Sequence, residues 1–299
     1  MTLVITRLIG GLGNQMFQYA TGRAVALRRD AVLKLDVTEF GAVGAHTKRR
    51  YELDAFSIHG SAASAADLAQ FGRMGKPRSP RLDRLLGRLG IGRPNSDGTI
   101  YREPYFHYDP TVAELLAPVY LDGYWQSEKY FSDIAGVLRQ EFAAKAPLDR
   151  ENESLGARID AVNAVSLHVR RGDYVSNPTT NRFHGVCPPD YYQGAVDYIA
   201  GRVGAPHLFV FSDDQEWTCA NMRFSVPTTF VGVNPPDCGY RDMQLMARCR
   251  HHITANSSFS WWGAWLNPSL EKVVVVPKQW FWDSRNDARD LIPPNWVQL

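Results

Sequence analysis

Apolar and polar positions along the chain predict most of its elements. TLVITRL (2–8) reads as a strand, and a glycine turn, GGLGN (10–14), follows it. Phe17, Ala20, Ala24 and Leu27 then recur at helical spacing, which predicts a helix from Gln15 to about Arg29. AVLKLD (31–36) predicts a second strand, and strand–loop–helix–strand is the usual opening of a parallel sheet. GSAASAADLAQF (60–71) looks helical, whereas the basic, Gly- and Pro-rich stretch 76–98 predicts a surface excursion. VYLDGYWQSEKYF (119–131) predicts a strand, a turn and the start of a helix.

The alternation becomes regular after residue 156. Strands are expected at 164–170, 207–212, 228–233, 252–256 and 272–277, and helices at 190–203, 214–221, 240–250 and 259–267. The polar stretch KAPLDRENES (145–154) separates this run from the first and is expected to be a linker. Two such runs predict an α/β protein of two Rossmann-like domains, 1–155 and 156–299, facing a cleft. In open parallel sheets ligands bind beyond the carboxyl ends of the strands.

Composition narrows the partners. The 299 residues are 44% hydrophobic and 21% charged, an ordinary globular balance. A net charge of +2 and a pI near 8.3 lack the basic excess of a nucleic-acid surface, so no nucleic acid is expected. Four cysteines, Cys187, Cys219, Cys238 and Cys249, form no C-x-x-C pair and match no zinc spacing, so they read as reduced thiols. The N-terminal apolar run is too short for a signal peptide, and no apolar stretch reaches the ~18 residues of a membrane span. A cytoplasmic protein is expected.

Four constellations carry chemistry. In GGLGNQMFQYA (10–20) the glycines let backbone approach a ligand, and the helix start offers N–H groups to an anion. Met16 stands where a dinucleotide fingerprint needs its third glycine, and no Gly-Lys-Ser/Thr exists. The bland alternative is a tight turn; Asn14 and Gln15 favour function, because their amides could reach a phosphate or a sugar hydroxyl. In HVRRGDY (168–174) His168, Arg170, Arg171 and Asp173 cluster where a core strand surfaces. Arginine forks match phosphate geometry. One arginine is expected on phosphate and the other on Asp173 or a carboxylate elsewhere; a salt-bridged strand end is the alternative.

VFSDDQEW (210–217) offers Ser212 or Asp213 as a helix cap. No D-x-D occurs anywhere in the chain, so a metal-free site is expected. In the stretch 240–267, Asp242 could cap a helix or accept hydrogen bonds from a guanine edge. Ser257, Ser258 and the following helix start form a second anion cradle, and Trp261, Trp262 and Trp265 cover one helical face.

Together GGLGNQMFQYA, HVRRGDY, FSDDQEW and DMQLMARCRHHITANSSFSWWGAWLN resemble the bacterial α-1,2-fucosyltransferases, glycosyltransferase family 11. The motifs run from residue 10 to 267, and residues 60–118 contribute little. The resemblance implies a two-domain GT-B-like fold, GDP-β-L-fucose as donor, no metal or other cofactor, and inversion at the anomeric carbon. It implies a galactoside 2-α-L-fucosyltransferase acting on a galactose-terminated glycan in surface-polysaccharide or O-antigen synthesis, with peripheral attachment to the inner membrane face left open. It further implies that Arg170 binds the β-phosphate, that His168 and Asp242 contact guanine, that Ser257 and Ser258 cradle phosphate, and that Asn14 approaches from the other half. Asp173 and His184 are the two candidates for the base. The rival readings are a GT-B enzyme with another nucleotide-sugar, a catalytically silent glycan- or nucleotide-sugar-binding protein, and a Rossmann oxidoreductase.

Overall fold

The structure, a computed structural model, describes residues 2–41, 49–72, 98–282 and 286–299. Two parallel sheets organise it. The first holds β1 (Leu3–Arg7), β2 (Val32–Asp36), β3 (Ser61–Ala62), β4 (Thr99–Arg102) and β5 (Val119–Asp122), in the order β3-β2-β1-β5-β4. The second holds β6 (Asn163–Val169), β7 (Pro206–Ser212), β8 (Thr228–Val231), β9 (His251–Ile253), β10 (Val274–Val276) and β11 (Val297–Gln298), in the order β11-β10-β9-β6-β7-β8. Every strand pairing in both sheets is parallel.

Parallel sheets are covered on both faces, so their strands must be apolar on both. β6 meets that demand. Val165, Leu167 and Val169 join a buried cluster with Tyr192, Val196 and Ile199, while Ala164 joins Leu155, Ile159 and Phe209.

The helices are α1 (Leu12–Arg28), α2 (Ala65–Ala69), α3 (Ala135–Glu141), α4 (Arg150–Asp160), α5 (Gly172–Ser176), α6 (Pro178–His184), α7 (Pro189–Ala200), α8 (Gln215–Asn221), α9 (Gly239–Arg248) and α10 (Ser258–Leu266). α1 starts three residues before the expected Gln15. The expected helix at 60–71 shrinks to α2, closed at its start by a capping box between Ser64 and Asp67. The second half of the expected linker is helical instead: Asp149 accepts the Asn152 N–H at 2.9 Å and starts α4. α5, α6 and β11 were not foreseen. Most of the expected surface excursion, residues 76–97, lies outside the described residues.

One aromatic cluster ties the two sheets together. Trp261 and Trp262 of α10 pack on Phe17 of α1, with ring centroids 4.5 and 5.0 Å apart. The cluster takes in Val4 and Leu33 from the first sheet and Val274 and Val276 from the second. Buried indoles need partners for their N–H groups. Here Trp261 donates to the Leu291 carbonyl (2.9 Å), Trp262 to the Gly13 carbonyl (3.0 Å) and Trp265 to Glu128 (2.9 Å). Among the described residues, no helix is long and apolar enough to cross a membrane.

Candidate active site

Parallel pairing sets Val169, the last residue of β6, beside Ser212 of β7. The segment Arg170–Asp173 therefore leaves its strand next to Ser212–Asp214. Gly172 makes the approach close enough, because a Cβ there would stand 2.4 Å from the Asp213 carboxylate. Arg170 donates from Nη1 to Asp213 (2.8 Å) and from Nη2 to Asp173 (2.6 Å). Its guanidinium lies 5.3 Å from the Tyr174 ring centroid. Burial disfavours the cation, but Asp213 and Asp173 outweigh that, so its pKa is raised and it stays charged. Its buried Nε has no hydrogen-bond partner among the described residues.

Arg171 points elsewhere. Its Nε donates to Asp214 (3.1 Å), its backbone N–H donates to Asp213 (2.8 Å), and its guanidinium lies 3.5 Å from the Trp217 ring centroid. Arg171 thus pairs with a carboxylate elsewhere, one of its two expected partners, and Asp173 braces Arg170. The cap of α8 is Asp214, which accepts the Trp217 N–H, rather than Ser212 or Asp213.

The two histidines stand near this cluster. His168 is fully buried, and its Nδ1 lacks a partner among the described residues. Burial pushes its pKa down to about 4, opposed by Asp213 and helped by Arg170, so the ring is neutral at neutral pH. His184 ends α6 and stacks on Tyr174, centroids 4.6 Å apart and planes 11° apart. Burial pushes its pKa down to about 4 as well, and its Nδ1 is also without a partner. Asn256 holds His184 from behind, donating to its carbonyl at 2.7 Å. That buried asparagine was passed over in the sequence, where Asn-Ser-Ser looks only like a chance glycosylation pattern.

The first half contributes the opposite wall. A Cβ on Gly13 would fall 2.5 Å from the Ser258 carbonyl carbon and 2.7 Å from the Phe259 nitrogen. The starts of α1 and α10 therefore touch, and their positive dipole ends converge. Ser257 caps α10 by accepting the Phe259 N–H (3.3 Å), and α1 begins at Gly11 with no side-chain cap. Asn14 accepts from the Gln126 amide at 2.8 Å. Gln15 does not face a ligand. It is buried, donates to the carbonyls of Gly10 (3.0 Å) and Arg50 (2.9 Å), and accepts the Glu52 N–H (2.9 Å). Its amide fastens residues 50–52 to the glycine turn.

Asp242 lies apart from the ion pairs. It accepts from the Asn234 amide at 2.7 Å, and Asn234 in turn pairs with Asn152. Burial pushes its carboxyl up to about 6, and its side chain does not cap α9. Along the carboxyl edge of the second sheet the order is Ser257 and Ser258 past β9, Arg170 past β6, Asp213 past β7 and Asn234 past β8. Three strand spacings make about 15 Å, the length of a nucleoside diphosphate.

The pattern of a family described as Glycosyl transferase family 11 matches residues 100–299. The chain belongs to glycosyltransferase family 11. An alpha-1,2-colitosyltransferase of Escherichia coli is 32% identical over 305 residues, spanning 100% of this chain and 99% of the relative. The O-antigen biosynthesis glycosyltransferase WbnK, also of Escherichia coli, is 32% identical over 330 residues, spanning 98% and 99%. Galactoside alpha-(1,2)-fucosyltransferase 1 of Homo sapiens is 31% identical over 191 residues, 60% of this chain and 52% of that one. Among solved structures, an arginine-to-lysine variant of Arabidopsis thaliana FUT1 in complex with GDP covers 91% of this chain and 70% of its own, with a TM-score of 0.50 at 13% identity. The shared fold is GT-B-like.

The family 11 enzyme has one more carboxyl, half-buried behind Asn14, that no sequence pattern singles out. Glu103, just past β4, accepts the N–H groups of Tyr124 (2.7 Å) and Trp125 (2.9 Å). Burial pushes its carboxyl up to about 7. Trp125 sits at φ 58°, a region costly for a bulky residue. Glu103 thus holds a strained loop whose next residue, Gln126, orients Asn14. A lone glutamate past a short strand carries no pattern that would single it out.

Proposed function

We propose that this glycosyltransferase is an inverting, metal-independent galactoside 2-α-L-fucosyltransferase. It moves L-fucose from GDP-β-L-fucose to the 2-hydroxyl of a terminal galactose in a surface glycan. The observation that carries this is Arg170: a half-buried guanidinium with an uncommitted Nε, beside a neutral histidine and opposite two converging helix starts. Transfer breaks the bond between the fucose anomeric carbon and the β-phosphate oxygen. The charge left on GDP then falls on Arg170 and on the N–H groups at the starts of α10 and α1. Donors fixed in place before reaction are usually the largest catalytic contribution. The neutral ring of His168 suits a hydrogen bond to guanine better than a charge on phosphate, and Asp242 would accept from the guanine edge.

The galactose hydroxyl attacks from the opposite face and must lose its proton. Both oxygens of Asp173 are engaged by guanidiniums. His184 has the free acceptor atom and is the better base, though a weak one, which fits late proton loss in an oxocarbenium-like transition state. The positive groups around Arg170 take the place a divalent cation would fill, and 1 mM EDTA is expected to leave turnover unchanged, about 1 mM being ample for a tight divalent site. Full-length identity to a colitosyltransferase favours a second reading, in which the donor sugar is colitose, L-fucose without its 3-hydroxyl. Turnover with GDP-L-fucose, GDP-L-colitose and UDP-galactose on lactose, with NMR of the product linkage, tests both. An α-1,2-fucosyl product supports the first reading; transfer of colitose alone, or of galactose, removes it.

A further inference from the structure

A GDP-sugar held at Arg170 leaves one neighbouring cation without a task. Arg49 comes from the first half, yet its Nη2 lies 2.5 Å from Asp173, whose other oxygen takes Arg170. Its Nη1 is 3.7 Å from the position of a Cβ on Gly11, so the guanidinium lies over the uncapped start of α1. The backbone behind it is fixed. Gln15 binds the Arg50 carbonyl and the Glu52 N–H, and Arg50 itself reaches the Asp237 carbonyl on the other half. Arg49 is therefore placed at the junction of the two halves.

Charge gives it one. Arg49 and Arg170 face Asp173 and Asp213, two cations against two carboxylates, and the cluster is balanced as it stands. A diphosphate brings added negative charge into this balance. The Arg170 side chain is 20% exposed and is held by two carboxylates, whereas the Arg49 side chain is 38% exposed and is held by one. Its distance from Gly11 leaves the phosphates within reach of a rotated side chain, between the starts of α1 and α10.

We propose that Arg49 is a second phosphate-binding guanidinium, which leaves Asp173 to grip the β-phosphate from the first half as the donor binds. It then shares with Arg170 the charge that appears on GDP as the sugar departs. Donor binding would draw the two halves together through this one residue. The proposal rests on the GDP-sugar reading and adds a contact from the first half.

Calorimetry with GDP and with GMP separates the two ideas. Wild-type protein should bind GDP more tightly than GMP; if it does not, the GDP-sugar reading fails and takes this proposal with it. Arg49→Met should weaken GDP about tenfold, the loss of one charge-assisted contact, while GMP changes by less than about twofold. Arg49→Lys should recover part of the loss, and kcat should fall more than KM rises in both variants. Arg49 as a mere strut predicts otherwise: GDP and GMP weakening together, or GDP binding untouched. Either result, with wild-type preference for GDP intact, overturns the proposal and leaves the donor reading standing.

Discussion

Arg170 was legible because two arginines where a core strand surfaces are hard to explain by packing, and the carboxylates that flank it lie in nearby motifs. Arg49 was not, because its partner Asp173 is 124 residues away and nothing local marks one arginine in a basic run. Gln15 misled for a related reason: an amide at a helix start suits a ligand and a neighbouring loop equally well. The Arg170 ion pairs allow a sharp prediction. Arg170→Ala strips the site of its half-buried cation, and kcat should drop by about a thousandfold, the scale seen when one preorganised donor is lost. It also leaves the Asp213 carboxylate without its guanidinium, which should cost about 1–3 kcal/mol of stability at this partial exposure. Adding Asp213→Asn should return part of that stability and none of the turnover. Urea melts and initial rates on the same preparations check it; a double variant that regains activity would remove Arg170 from the chemistry.

Most elements of ordinary length were readable from periodicity, α4 excepted, and the short helices α5 and α6 were not. α5 and α6 have five and seven residues, too few for a 3.6-residue repeat to show. A cue for α6 was present in Asn177-Pro178: Asn177 accepts the N–H groups of Thr179 and Thr180, and proline takes the first helical position. The contact between α1 and α10 was unreadable, since the sequence shows two glycine- or serine-led helix starts and not that they meet. Gly13→Ala tests that contact. The added Cβ would press on Ser258 backbone, which cannot rotate away, so about 1–3 kcal/mol should be lost with most of the activity. Gly194→Ala, inside α7 with open space around its Cβ position, should instead stabilise by about 0.5–1 kcal/mol and leave turnover unchanged. Equal effects of the two alanines on melting temperature would show that the helix starts do not touch.

At the scale of the molecule, the two parallel sheets followed from the run of strand and helix signals. The way they are tied did not, because Trp261, Trp262 and Trp265 read as core residues of their own half. Apart from that tie, the fold buries titratable groups, and this makes stability depend on pH. Histidine in the unfolded chain takes its proton near 6.5, whereas His168 resists until about 4. Between those values the unfolded chain binds more protons. The contribution of His168 is thus complete above about 6.5 and is lost as pH falls toward 4, at about 1.4 kcal/mol per pH unit. His184 acts with the same sign, as does His252, buried between Ser166 and Asn267 and pushed well down. Glu103 and Asp242 oppose them. Their carboxyls are raised to about 7 and about 6, so their contribution is complete only below the ordinary carboxylate range and is lost as pH rises through those values. The wild-type curve is therefore a partial cancellation, and only a difference isolates one group. His168→Gln should destabilise the protein at about pH 7, and that deficit should shrink by about 2 kcal/mol on moving to about pH 5, where the wild type has lost the same amount. Urea midpoints at the two pH values measure it. A deficit of the same size at both would mean that folding leaves the His168 pKa at its ordinary value, and a deficit that grows toward pH 5 would mean that the folded protein holds the proton, as a group binding phosphate would.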